Sequence, residues 1–143
     1  MKRSAERATI TGEAILIGLQ GAMAKAHEEK VQIVAAVVDT SGMLVGFVAS
    51  DGAARISHTV ARDKAFTSAM TGMPTIEWKA YLDSIPAHER EIIAKHEGYI
   101  GADGGFPILD GDRVIGGIGV SGANQEIDAA CARAGLEAID AAD

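Results

Sequence analysis

Two stretches of the sequence each hold a pair of apolar runs broken by a short Asp/Gly turn, and this arrangement fixes the kind of sheet the chain can build. The first reads VQIVAAVVDTSGMLVGFVAS, in which Val31 to Val38 and Met43 to Ala49 flank Asp39-Thr40-Ser41-Gly42. The second reads GGFPILDGDRVIGGIGVSG, Gly104 to Gly122, in which Phe106 to Leu109 and Val114 to Val120 flank Asp110-Gly111-Asp112-Arg113. Asp and Gly at such breaks suit tight turns, so both stretches predict β-hairpins. Hairpins join antiparallel strands, whereas parallel strands need a long crossover.

The segments between and around the hairpins carry helical spacing. Ala14, Ile15, Gly18, Leu19, Ala22, Met23 and Ala26 share one face of a helix from Thr11, the expected N-cap, to Lys30. Ile56 to Thr71 predicts a second helix, stopped by Gly72 and Pro74. Thr75 is the expected cap of a short helix through Asp83. Pro86 opens another, AHEREIIAKHEG, with Gly98 as its C-terminal glycine. Asn124 caps a last helix to about Ile139. The order α, ββ, helices, ββ, α implies an α+β fold, an antiparallel sheet with helices packed on it, in one domain spanning 1–143.

Composition narrows the function classes. Aromatics are 4% of a chain that is 48% hydrophobic, so Ala, Val, Ile, Leu and Met must build the core. A net charge of −7 with no basic stripe argues against nucleic acid, since phosphate binding needs concentrated Lys and Arg. The single cysteine, Cys131, excludes an internal disulfide and multi-Cys zinc sites, and its apolar helical spacing marks a buried structural thiol. Neither a signal peptide nor a membrane span is read, and a cytoplasmic location is the default expectation.

Gly117-Ile118-Gly119-Val120-Ser121-Gly122 satisfies the dinucleotide pattern G-x-G-x-x-G. A nucleotide loop of that kind follows the first strand of a β-α-β unit and needs a later strand whose acidic residue meets the ribose. Only 21 residues follow Gly122, and they read as one helix. No nucleotide is therefore expected. Gly116, Gly117 and Gly119 fall within a strand, where glycine signals close approach of another backbone, a helix or a ligand.

The stretch GGFPILDGDRVIGGIGVSGANQEIDAACARAGLEAI closely resembles the C-terminal signature of the GlcG/HbpS family of haem-binding-protein-like domains, found also at the C-terminus of PduO-type proteins. Further likeness lies in Val37-Val38-Asp39-Thr40-Ser41-Gly42, Asp51-Gly52-Ala53 and Ala61 to Thr67, ending at Gly72-Met73-Pro74-Thr75. The resemblance implies a profilin-like antiparallel sheet flanked by helices, and compact homo-oligomers, commonly octamers. For function it implies haem binding or a role in operons for catabolism of small organic compounds. Residues 76–103 depart from it: many relatives have a Gly/Pro-rich loop, and here IPAHEREIIAKHEGYIGADGG supplies a charged helix with two histidines.

The residues that could carry chemistry are few. His88 and His96 are eight apart, roughly 12 Å along a helix, too far to share one ion within a subunit. His96 shares a face with Ile92 and Ile93, with Tyr99 beyond, and is expected to point inward as a hydrogen-bonded core histidine, a haem iron ligand or an acid/base group. His88 reads as solvated beside a Glu91–Lys95 pair. His58 opens the second helix with Arg62 one turn on, which suits a carboxylate or a haem propionate at a helix start. His27 suits the end of the first helix. Lys64 and Asp51 are expected to pair.

Two readings follow. The first is a homo-oligomer that binds haem or another small anionic ligand, with His58, Arg62, His96, Tyr99, Gly104, Gly105 and Ser121 around the ligand and His96 as the candidate iron ligand. The second is a lyase, isomerase or hydrolase acting on a carboxylated metabolite, with His58 and His96 as candidate catalytic residues. Neither involves nucleic acid or a membrane.

Overall fold

In a computed structural model that describes residues 1–143, both hairpins form and share one sheet. Helix α1 (Gly12–Glu28) precedes β1 (Val34–Asp39) and β2 (Leu44–Ala49). Helices α2 (Ile56–Thr71), α3 (Thr75–Ser84) and α4 (Ala87–Ala94) fill the middle, and β3 (Gly105–Asp110), β4 (Arg113–Ser121) and α5 (Gln125–Ala142) close the chain. The sheet order is β2-β1-β4-β3, every neighbour antiparallel. Strands from the two hairpins meet at β1 and β4. The fold is α+β, as the order of elements predicted.

β1 is covered on both faces, which is why it reads as an unbroken apolar run rather than an alternating one. Ala35 and Val37 face α1 and α5, in a core with Leu19, Ala22, Ile118, Val120 and Cys131. Val34, Ala36 and Val38 face Ala61, Ala65 and Ala69 of α2. Three layers result, with α2 on one side of the sheet and the α1/α5 pair on the other.

The glycines of β4 set how near α2 lies. A Cβ on Gly117 or Gly119 would collide with the carbonyl oxygens of Ala65 or Ala61, and one on Gly105 would sit 2.5 Å from the Lys64 carbonyl oxygen. Backbone meets backbone there, because neither element has a side chain to hold them apart. Close packing therefore accounts for the glycine pattern within the strand.

The expected caps hold at the outer helices: Thr11 accepts from the Ala14 N–H at 3.1 Å and Asn124 from the Ile127 N–H at 2.8 Å. Other expectations need correction. Thr75 is not a cap; Pro74 precedes the helix, and the buried Thr75 hydroxyl instead accepts the Gly105 N–H at 2.9 Å, holding the start of β3. Helix α4 ends at Ala94 and not near Gly98, and α5 continues past Ile139 to Ala142. Gly98 has φ +92 and lies against the Phe66 ring. No helix is long and apolar enough to cross a membrane.

Candidate functional site

Where β3 begins and β4 ends, the chain buries a lysine and an aspartate. Lys64 of α2 is 2% exposed, and its Nζ donates to the Val120 carbonyl at 2.9 Å and to Asp128 Oδ2 at 3.2 Å. Asp128 stands in the first turn of α5 and also accepts the Ala123 N–H at 2.9 Å. Burial draws the Lys64 ammonium below its ordinary pKa, opposed by the attraction of Asp128. Burial likewise pushes the Asp128 carboxyl up, opposed by the Ala123 N–H and by Lys64. The expected pairing of Lys64 with Asp51 is corrected: Asp51 is exposed in the turn after β2, and the partner comes from a helix 64 residues away.

Gly104, Gly105 and Ser121 surround this pair and are all buried. Gly104 has φ +119, a conformation open to glycine, and a Cβ there would lie 3.0 Å from Lys64 Nζ and 2.8 Å from the Val120 carbonyl oxygen. Within one chain these three residues seal the end of the sheet.

The exposed chemistry lies on the opposite margin. His58, in the first turn of α2, is exposed and sets its ring edge-on to Phe47 of β2, with centroids 5.0 Å apart. Arg62 follows one turn later on the same side, also exposed, and reaches only its neighbour Asp63 at 3.5 Å. Small residues at Ala61, Ala65 and Ala69 press α2 onto the sheet, and His58 meets the β2 edge through Phe47. An imidazole backed by an aromatic ring, with a guanidinium one turn on, can meet a flat anionic ligand.

His96 does not point inward. It lies exposed in the turn after α4, because the helix ends before the face shared with Ile92 and Ile93 can continue. Ile92 is itself exposed, and Glu91 and Lys95 form no ion pair. Tyr99 is partly exposed, in an aromatic cluster with Phe66 at 5.3 Å and Trp78 at 5.9 Å. Trp78 stacks on Tyr81, and its buried Nε1–H has no acceptor.

Three surface cavities flank α1. One of about 460 Å³ lies between α1 and α5, lined by Lys25, Glu28, Arg133 and Glu137. Another, of about 280 Å³, adjoins Thr9 and Ile115. A third, of about 360 Å³, lies at the end of α1, lined by His27, Lys30, Gln32 and Ser50. None includes His58, Arg62, His96, Tyr99, Gly104, Gly105 or Ser121. No three His, Cys, Asp or Glu side chains are grouped to hold a metal ion.

A sequence profile described as "Haem degrading protein HbpS-like" matches residues 10–137. The chain belongs to the HbpS-like family. Its structure is similar to the Klebsiella pneumoniae protein ORFY, at 27% identity and TM-score 0.90 over 99% of this chain and 97% of that one. It is similar also to a doubly substituted HbpS of Streptomyces reticuli, at 28% identity and TM-score 0.86 over 96% and 91%. A PduOC:heme complex shares the fold at 21% identity and TM-score 0.84 over 92% and 95%. No curated protein matches the sequence.

For this HbpS-like chain, sequence reasoning picked out His58 and Arg62 but not Phe47, which reads locally as one more strand residue. It missed Asp128 as well. The only local signal was an acidic residue in the first turn of α5, which the helix dipole alone would explain.

Proposed function

We propose that this chain binds haem, or a closely related planar anionic ligand, as a homo-oligomer, at the surface formed by His58, Arg62 and Phe47. The family supports the ligand class, and the observation that carries the reading is the exposed His58 ring held against Phe47 at 5.0 Å. Haem brings four of its own iron ligands, so one imidazole suffices where no cluster of metal-ligating side chains exists. When bound, it would supply an iron centre for redox chemistry or for binding a further small ligand. The chain's own residues do the rest: Phe47 fixes the imidazole plane and offers an apolar face, and Arg62 stands where a propionate can pair.

His96 and Tyr99 are exposed on the α4 side and take no part in this surface within one copy. Acid–base turnover of a carboxylated metabolite would use the same His58 and Arg62. It is less well supported, because the neighbour that orients His58 is the Phe47 ring and not a carboxylate.

The test is titration of the purified protein with haem, followed at the Soret band. A saturable shift is expected, lost in His58→Ala, retained in His96→Ala and weakened about 2–5-fold in Arg62→Ala. Absence of a saturable shift in the wild type overturns the reading.

A further inference from the structure

Of the three cavities, the one at the C-terminal end of α1 differs in its chemistry. Its walls enclose about 360 Å³ and carry His27, Lys30, Gln32 and Ser50 with Met23 and Val31, and no carboxylate. The cavity between α1 and α5 holds Glu28 and Glu137, and the one beside Thr9 holds Glu13, Asp110 and Asp140. In a chain of net charge −7, a hollow without acids and with an ammonium at its wall is where an anion meets the least repulsion.

The polar groups of this hollow have hydrogens left to donate. Gln32 Oε1 accepts the Gly52 N–H at 3.1 Å, which fixes the carboxamide and leaves both Nε2 hydrogens without an acceptor. Ser50 Oγ accepts the Ile33 N–H at 3.0 Å, so its hydroxyl hydrogen is free. The His27 imidazole donates from at least one nitrogen in either protonation state. Lys30 forms no ion pair, because Glu28 and Glu29, the acids beside it in sequence, both close on Lys25 at 3.4 Å.

Lys30 also holds a backbone conformation that lysine does not favour. Its φ is +57, and every other residue with a positive φ is a glycine. The position is the one just past a helix where Gly or Asn ordinarily stands: the Lys30 N–H meets the His27 carbonyl at 3.1 Å and the Val31 N–H the Ala26 carbonyl at 3.0 Å. These bonds engage the last carbonyls of α1, which blunts the negative end of the helix toward an anion. Strain that a glycine would relieve points to a use for the lysine side chain.

We propose that this cavity binds a small aliphatic carboxylate. Lys30 counters its charge, Gln32 Nε2, Ser50 Oγ and His27 donate to its oxygens, and Met23 and Val31 lie against its carbon chain. The volume is near the lower end for small-molecule pockets, so the ligand is a metabolite of a few carbons. Neither His58 nor Arg62 lines the cavity, and the proposal does not depend on haem binding there.

Equilibrium dialysis of the intact protein against radiolabelled butyrate, at fixed ionic strength, tests it. Saturable binding is expected, displaced poorly by the uncharged butyramide, which lacks the charge that Lys30 meets, and by inorganic phosphate, which has no carbon chain for Met23 and Val31. Gln32→Glu keeps the oxygen that accepts from Gly52 and sets a carboxylate where two donors stood, so binding should be lost. Lys30→Asn removes the charge while suiting φ +57 better than lysine, so the fold is kept, and binding should weaken about 3–5-fold. Arg113→Gln removes one positive charge from the turn between β3 and β4 and should leave binding unchanged. Absence of saturable butyrate binding, or binding that survives Gln32→Glu, overturns the proposal. So does displacement by butyramide or phosphate as effective as by butyrate itself, or a loss with Arg113→Gln equal to that with Lys30→Asn.

Discussion

Lys64 of α2 and Asp128 of α5 belong to helices on opposite faces of the sheet, and their side chains meet around its end with Nζ 3.2 Å from Oδ2. Both are almost wholly buried, so the pair joins the two outer layers directly where β4 runs out. Removing one partner leaves the other with the full cost of burial. Asp128→Ala is expected to lower unfolding stability by about 3–5 kcal/mol in urea titrations. The double replacement Lys64→Met with Asp128→Leu should recover most of that loss, because no charge is then stranded.

Gly119→Ala tests the contact between α2 and β4. The added methyl would run into the Ala61 carbonyl oxygen, which belongs to a helix backbone and cannot rotate away. A destabilisation of about 2–3 kcal/mol is expected by thermal or urea unfolding. Gly111→Ala, in a turn with open space around the Cβ position but at φ +65, should cost about 1 kcal/mol.

Asp39 makes stability depend on acid. Burial pushes its carboxyl up, but the Ser41 hydroxyl and the Met43 and Ser41 N–H groups, all on Oδ1, together with the Gly42 N–H outweigh this and hold it below the usual carboxylate range. A depressed folded-state pKa contributes stability above the unfolded value of about 3.9 that is lost as pH falls through the folded value. Asp39→Ala should therefore lower stability at pH 7 by about 1–2 kcal/mol. The gap to the wild type should narrow below about pH 4 in denaturation curves measured across pH.

Cys131 is buried, and burial together with the nearby Asp128 and Glu29 carboxylates pushes its thiol up to about 11. At pH 8 the thiolate fraction is small and shielded. Thiol reagents should leave the folded protein unlabelled and modify Cys131 stoichiometrically once urea unfolds it, as read by absorbance or mass.

Much of the fold was legible in the chain because its signals are local. Asp39 and Gly42 form the first turn through hydrogen bonds spanning at most four residues, and Asn124 caps α5 three residues ahead. Helix α4 was harder. His96 continues the apolar spacing of Ile92 and Ile93, but periodicity carries no information on whether anything packs against that face, and here the helix stops at Ala94 with its apolar residues largely in solvent.

The sequence by itself determined the two hairpins, the helices between them and the HbpS-like family, since turn chemistry, periodicity and ordered motifs act within a few residues of one another. Tertiary structure alone decided which charges pair and which histidine meets an aromatic ring. Lys64 and Asp128 stand 64 residues apart, and Phe47 reaches His58 only because β2 lies at the edge beside the start of α2. Such contacts depend on where whole layers come to rest, which here is set by glycines letting α2 settle on the sheet.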